Sequence, residues 1–333
     1  MASGRMRISA LITTFNRREY IERAIQSVLT QTVPVDEVVV VDDGSTDGTA
    51  ELISHRFGNL VRVVCQANQG VSGARRRALR ESSHDWVAFL DSDDEWTPDR
   101  NRLFTEAGLD LPADVAWIFG DSLIVRDHGK CKSLFEQFGL HVQTSPQIFE
   151  DPLAVQYPFQ FGMLQASVIR KSALLEIRAF EEGLRHSEDF LAGVQIACRY
   201  RFAAIPTIVT NIYRTSDLMS SSLSLPGSND IDYHRARVMA YLLIAQSKQE
   251  KSWDKLYAGA VRGLCEFLAE RGHGPGRLAL QQFVSGFSWK SVLFLCVTML
   301  GRRGVRLWQG LSKASEVILK RKAGNEPAHL VIR

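Results

Sequence analysis

The chain is predicted to be an α/β protein. A mainly parallel sheet sandwiched by helices spans residues 1–225, and a helical C-terminal region follows over 226–333. Three observations predict this. Apolar, β-branched runs alternate with amphipathic stretches through the first hundred residues, the pattern of βαβ units with strands buried on both faces. Strand signals stop near Tyr233. The carboxyl ends of the runs are crowded with polar residues, where an open α/β sheet presents its ligand site.

The elements follow in order. "RISALITTF" is the first run, and "EYIERAIQSVLTQ" puts Tyr20, Ile21, Ala24, Ile25, Val28 and Leu29 on one helical face. "EVVVVDDGS" is the second run, and "STDGTAELISHRF" has a Ser/Thr/Asp helix start. "NLVRVVCQ" precedes the helix "GARRRALRES", and "DWVAFLD" is the fourth run. In "TPDRNRLFTEAGL", Thr97 is the expected N-cap, with Pro98 at the first helical position. "VAWIFGDSLIVRD" reads as two strands or one bent strand. "SVIRKSALLEI" is a strand entering a helix, "SEDFLAGVQIACRY" a helix, and "RFAAIPTIVTNIYR" a strand broken at Pro206. The Ser-rich "SDLMSSSLSLPGSND" is loop-like.

The net charge of +3 is unevenly distributed. Residues 271–322 hold ten Lys/Arg and one acid, Glu316, a net +9. Residues 323–333 are neutral, which leaves −6 for residues 1–270. An acidic body with a basic, partly apolar tail suggests that the tail meets something anionic. An anionic membrane surface, an oligomer seam and packing on the catalytic domain all fit it. The five cysteines are scattered and odd in number, without CxxC. They are expected to be buried, reduced thiols of a cytoplasmic protein. No secretory leader is expected, because "ISALITTF" is short and lacks a small-residue cleavage site. No apolar run reaches membrane-spanning length. The triplet Arg75-Arg76-Arg77 has no interleaved aromatics, so no nucleic acid is expected.

The chemistry gathers at "FLDSDDEW". Asp91 and Asp93 lie two apart, so on an extended chain both face one side. Two such carboxylates repel unless a proton or cation intervenes. A divalent ion with waters and substrate phosphates would relieve them. An EF-hand is excluded: counting from Asp43 the twelfth place is Ser54, and counting from Asp91 the sixth is Trp96. There is no GxGxxG and no GxxxxGK[ST], so the dinucleotide and P-loop readings lack their phosphate loops. Trp96 reads as a packing residue in preference to a sugar platform.

Four stretches, "ALITTFNRREYIERAIQSVLTQT", "VVVVDDGSTDGT", "NQGVSGARRRAL" and "FLDSDDEWTPDR", resemble in that order the family 2 glycosyltransferases with the GT-A fold. The resemblance covers roughly residues 7–215. It implies that Thr13, Phe15 and Asp43 hold the base and nucleoside, with Arg75 near the nucleotide and Asp91 and Asp93 binding Mn²⁺ or Mg²⁺. A Pro is commoner in the family at the position of Thr13. The later acidic pair is Glu188-Asp189, with Asp189 implied as general base. Arg214 matches the Arg of the family's flap, though Ser216 stands where a His is usual. His186 is a lower-ranked acceptor-pocket residue.

The implied reaction is metal-dependent, inverting transfer of a sugar from a nucleotide-diphospho-sugar, uridine-linked by expectation, to a hydroxyl of a glycan or lipid-linked acceptor. It would serve bacterial-type surface polysaccharide synthesis in the cytoplasm or on the inner face of the cell membrane. Two rivals stand beside it. A nucleotidyltransferase wants a Gly-rich basic loop after the first strand, and "TTFNRRE" lacks the glycines. A non-catalytic sugar-nucleotide-binding subunit would not need both acidic motifs.

Overall fold

The computed structural model describes residues 5–127, 129–156, 162–180, 183–184 and 187–215, with a few more between 233 and 244. By compactness the chain divides into two units, Met1–Pro226 and Gly227–Arg333. His186, Ser216 and the basic tail lie outside the described residues. Among the described residues, no helix is long and apolar enough to cross a membrane.

The order of elements is β1 (Ile8–Thr14), α1 (Ile21–Leu29), β2 (Glu37–Asp42), α2 (Thr49–Phe57), β3 (Arg62–Cys65), α3 (Gly70–Glu81), β4 (Trp86–Asp91), β5 (Glu95–Trp96), α4 (Arg100–Ala107) and β6 (Val115–Arg126). Then come β7 (Gly129–Ser133), α5 (Leu134–Phe138), β8 (Gln147–Phe149), α6 (Leu153–Gln156), β9 (Ser167–Arg170), α7 (Lys171–Glu176), α8 (Glu188–Ala197) and β10 (Arg201–Tyr213). The strands form one sheet in the order β3-β2-β1-β4-β9-β6-β10-β5, with β7 on β6 and β8 on β10.

The sheet is mixed, which corrects the expectation of a mainly parallel one. β3, β2, β1 and β4 run parallel. β9 is antiparallel to both β4 and β6. β10 is parallel to β6 but antiparallel to β5 and β8. The reason lies in the connections. Helical crossovers force the first four strands parallel, whereas the β6–β7 hairpin and the long return to β9 do not.

The core follows the apolar runs. β1, β2 and β4 are buried along nearly their whole length. α1 turns Ile21, Ala24, Ile25 and Val28 inward, the spacing of one helical face. "VAWIFGDSLIVR" is one strand, β6. Pro206 is accommodated by register shifts between Ala204 and Ile208 against β6, as a residue without an N–H requires.

Thr97 does not cap α4, which begins at Arg100. Its N–H and hydroxyl donate instead to Val209 O and Ile208 O of β10, at 3.0 and 3.2 Å. Cys65 is exposed and Cys198 half-buried, contrary to the expectation of buried thiols. Cys65 ends β3, which has a neighbour on one side only.

Candidate active site

The parallel strands bring their carboxyl ends into one row. Thr13 on β1 stands in register with Val41 on β2 and with Asp91 on β4. Phe15 follows β1, 39 % exposed. Asp43 follows β2 and is buried. Its backbone N–H donates to Thr14 O at 2.9 Å. Its Oδ1 accepts from Gln66 Nε2 at 2.7 Å and from the Gln69 N–H at 2.9 Å. Those two donors fix the carboxylate's direction. Gly44, at φ +86°, makes the turn after Asp43, and a Cβ there would sit 3.0 Å from Asn68 N. A side chain would push the two loops apart.

The sequence separates Arg75, Asp91 and Glu188; the fold joins them. Arg75, on α3, is buried. Its Nη2 donates to Asp91 Oδ1 at 2.7 Å, and its Nη1 donates to Glu188 Oε1. One guanidinium thus bridges the end of β4 and the start of α8. The adjacent Asp189 is half-buried, and its Oδ1 accepts from the Phe190 N–H at 2.7 Å. Glu188 is enclosed by protein, while its neighbour retains exposure. Arg75 was expected near the nucleotide. Both of its terminal nitrogens are engaged by carboxylates, one of them Asp91 at the strand end.

Charge is unevenly matched here. Burial alone would raise the Asp91 carboxyl, but Arg75, Arg214 and a hydrogen bond from Gln165 Nε2 together hold it below the ordinary aspartate value. For Glu188 burial wins over the pull of Arg75 and pushes it to about 8, helped by Asp189. Burial lowers the Arg75 value, but Asp91, Glu188 and Asp189 outweigh it and raise it. Burial and Asp91 raise Asp93. Burial, then Asp93 and Asp91, lift the fully enclosed Asp94 well above its usual value. Arg214 opposes the last two, and its Nη1 lies 3.9 Å from Asp94 Oδ1.

Among the described residues, no group of three or more His, Cys, Asp or Glu is arranged to hold a metal. The donor set nonetheless suits a shared site. The proximity of Asp91 disfavours the charge of Asp93, a conflict that a cation would relieve, and hard cations of the Mg²⁺ type use one or two carboxylates and complete their shell with waters and substrate phosphates.

One participant, Gln165, gave no sequence signal. Gln165, in the turn before β9, holds Asp91 Oδ2 through its side chain. Its backbone oxygen accepts from Trp96 Nε1 at 3.1 Å and from Thr210 Oγ1 at 2.8 Å. Trp96 is buried, with the Arg100 guanidinium 3.7 Å over its ring. It therefore packs under the acidic loop, as the sequence reading favoured.

Residues 9–174 match the model of the family "Glycosyl transferase family 2". The chain belongs to glycosyl transferase family 2. Among curated relatives of this family 2 chain is the succinoglycan biosynthesis protein ExoO of Rhizobium meliloti, 32 % identical over 206 residues, or 60 % of this chain and 58 % of that one. The putative teichuronic acid biosynthesis glycosyltransferase TuaG of Bacillus subtilis is 38 % identical over 124 residues, covering 36 % of this chain and 48 % of that one. An uncharacterized glycosyltransferase of Nostoc is 39 % identical over 104 residues, covering 30 % of this chain and 32 % of its own. The chain therefore spans less than two thirds of these relatives. The crystal structure of S. aureus TarS 1-349 in complex with UDP-GlcNAc superposes with a TM-score of 0.58 at 20 % identity, covering 90 % of this chain and 83 % of that one. This is a likeness of fold.

Proposed function

We propose that the chain is a metal-dependent, inverting glycosyltransferase. It moves a sugar from a uridine-linked nucleotide-diphospho-sugar to a hydroxyl of a glycan or lipid-linked acceptor in surface polysaccharide synthesis. The observation that carries this reading is the Arg75 bridge. It ties Glu188, the neighbour in sequence of the half-buried Asp189, to Asp91 at the strand end. One base opposite one leaving-group site is the arrangement for single displacement.

In this reading Phe15 and Asp43 receive the base, and Thr13 lines the same edge. Asp189 takes the proton from the acceptor hydroxyl as its oxygen bonds to the sugar's anomeric carbon. The bond from that carbon to the diphosphate breaks with its electron pair, and the nucleoside diphosphate leaves. Asp91 and Asp93 would hold the cation, which supplies charge neutralisation for that leaving group. Arg214 adds a second positive charge there. Glu188 serves as the anchor for Arg75 and leaves proton transfer to Asp189. The relatives named for succinoglycan and teichuronic acid synthesis support a polysaccharide acceptor. The basic tail would bring the enzyme to an anionic membrane where a lipid-linked acceptor resides, with liposome flotation at low and high salt as its check.

The decisive assay is nucleoside diphosphate release from a panel of nucleotide sugars, with Mn²⁺ and with EDTA, and NMR of the product anomer. The reading expects metal-dependent release and inversion at the anomeric carbon. Retention, or no turnover of any donor, would overturn it, and binding without turnover would favour the non-catalytic subunit.

A further inference from the structure

Asp93, Asp94 and Glu95 are three consecutive acids that lead from the turn after β4 into β5, and the residues that hold them come from far away in sequence. Tyr213, the last residue of β10, makes two contacts with them. Its backbone N–H donates to Asp94 Oδ1 at 3.0 Å, and its hydroxyl donates to Glu95 Oε2. Arg23 of α1 closes over the opposite side. Its guanidinium lies 3.9 Å from the centre of the Tyr213 ring, its Nη2 donates to the Asp93 carbonyl at 2.7 Å, and its Nε is 3.7 Å from Glu95 Oε1. β10 and β5 reinforce the join, pairing Thr210 with Trp96 and Asn211 with Glu95.

The next residue is Arg214. Its backbone N–H donates to Val125 O at 2.8 Å, and its Nη1 donates to the carbonyl of Tyr213 at 2.8 Å. The cation at the end of β10 and the carboxylates after β4 are thus placed relative to each other through Tyr213. Neither side chain would find that spacing alone. Arg214 lies just past the end of β10, and the acids repel one another.

We propose that Arg23, Tyr213 and Glu95 form a clasp that sets Arg214 and Asp93 at a fixed spacing, as one unit for binding the donor's diphosphate. The clasp rests on the glycosyltransferase reading above. Its members are positioning residues, acting through Arg214 and Asp93 without touching the donor. The clasp should therefore matter to the diphosphate and not to the nucleoside, which is held at the ends of β1 and β2.

The test compares the affinities of UDP and uridine, measured by calorimetry in Mg²⁺ on the full chain. In the wild type, UDP should bind more tightly than uridine, and the ratio reports the diphosphate contribution. Tyr213→Phe removes only the hydroxyl. It should reduce that ratio about tenfold, the scale of one charge-assisted hydrogen bond, with uridine affinity unmoved. Glu95→Ala should reduce it similarly. In an Arg214→Ala background, which loses much of the ratio itself, adding Tyr213→Phe should cost little more. A ratio untouched by Tyr213→Phe, an equal loss of UDP and uridine affinity, or an undiminished loss in the Arg214→Ala background each overturns the clasp. A wild type with no preference for UDP over uridine overturns the underlying reading, and the clasp with it.

Discussion

The strands β3, β2, β1 and β4 and the elements beyond β4 furnish the candidate site in opposite ways. The first group places Thr13, Asp43 and Asp91 at the ends of parallel strands. Each residue reaches the site because its own strand stops there. The second group supplies Gln165, Glu188, Tyr213 and Arg214 from a turn, a helix start and a strand end. These reach the site by bonding to what the first group delivers: Gln165 to Asp91, Glu188 to Arg75, Tyr213 to Asp94. One half supplies most of the binding groups, and the other fixes their spacing and carries Asp189. Substitutions in the first half should therefore remove chemistry, while those at the bonds between halves should cost stability or alignment.

The largest effect is expected at Asp93. Asp93→Ala removes a proposed cation ligand and should reduce transfer by on the order of 10³-fold or more. The fold should survive, because the alanine removes a crowded carboxylate whose burial and proximity to Asp91 already disfavour its charge. Activity assays beside a thermal melt check both parts.

Next is the bond between the halves. Arg75→Met leaves Asp91 and Glu188 without their shared cation inside the protein. Breaking a buried ion pair from one side typically costs about 3–5 kcal/mol. Urea denaturation should show that loss. A variant as stable as wild type would mean that the bridge contributes little to joining the halves.

The smallest effect sharpens the comparison through pH. Glu188 has its folded-state value raised from 4.5 to about 8, chiefly by burial. A carboxyl raised in this way contributes stability that is full below its unfolded value and is lost as pH rises through the folded one. Wild type should therefore melt progressively lower, relative to Glu188→Gln, between about pH 5 and pH 8. Parallel melting curves across that window would contradict it.

The same contrast explains what could be read from the sequence. The strands of the first half, their order in the chain and their terminal acids were legible, because a strand–helix alternation and a row of polar strand ends are local patterns. The pair Glu188-Asp189 was visible as a motif, but its division of labour was not. Only the fold shows that Arg75 encloses one member and leaves the other half-buried. The antiparallel placement of β9 was hidden, because a strand's direction depends on how its connection travels. Thr97 looked like a helix cap because its neighbours fit one. Its partners, Ile208 and Val209, lie more than a hundred residues on. Tyr213 and Gln165 had no local pattern to betray them, since their roles exist only in contacts between the halves.

The proposal turns on Asp189, which follows the Arg75-anchored Glu188, as the base for a single displacement at a nucleotide-diphospho-sugar. Asp189→Asn tests it most directly, through single-turnover transfer measured beside UDP affinity. The asparagine keeps the shape and cannot take the proton. Transfer should fall by about 10²–10⁴-fold, the usual contribution of a general base, while UDP binds as it does to wild type. Turnover intact with UDP affinity lost would place Asp189 in the nucleotide site and contradict the account.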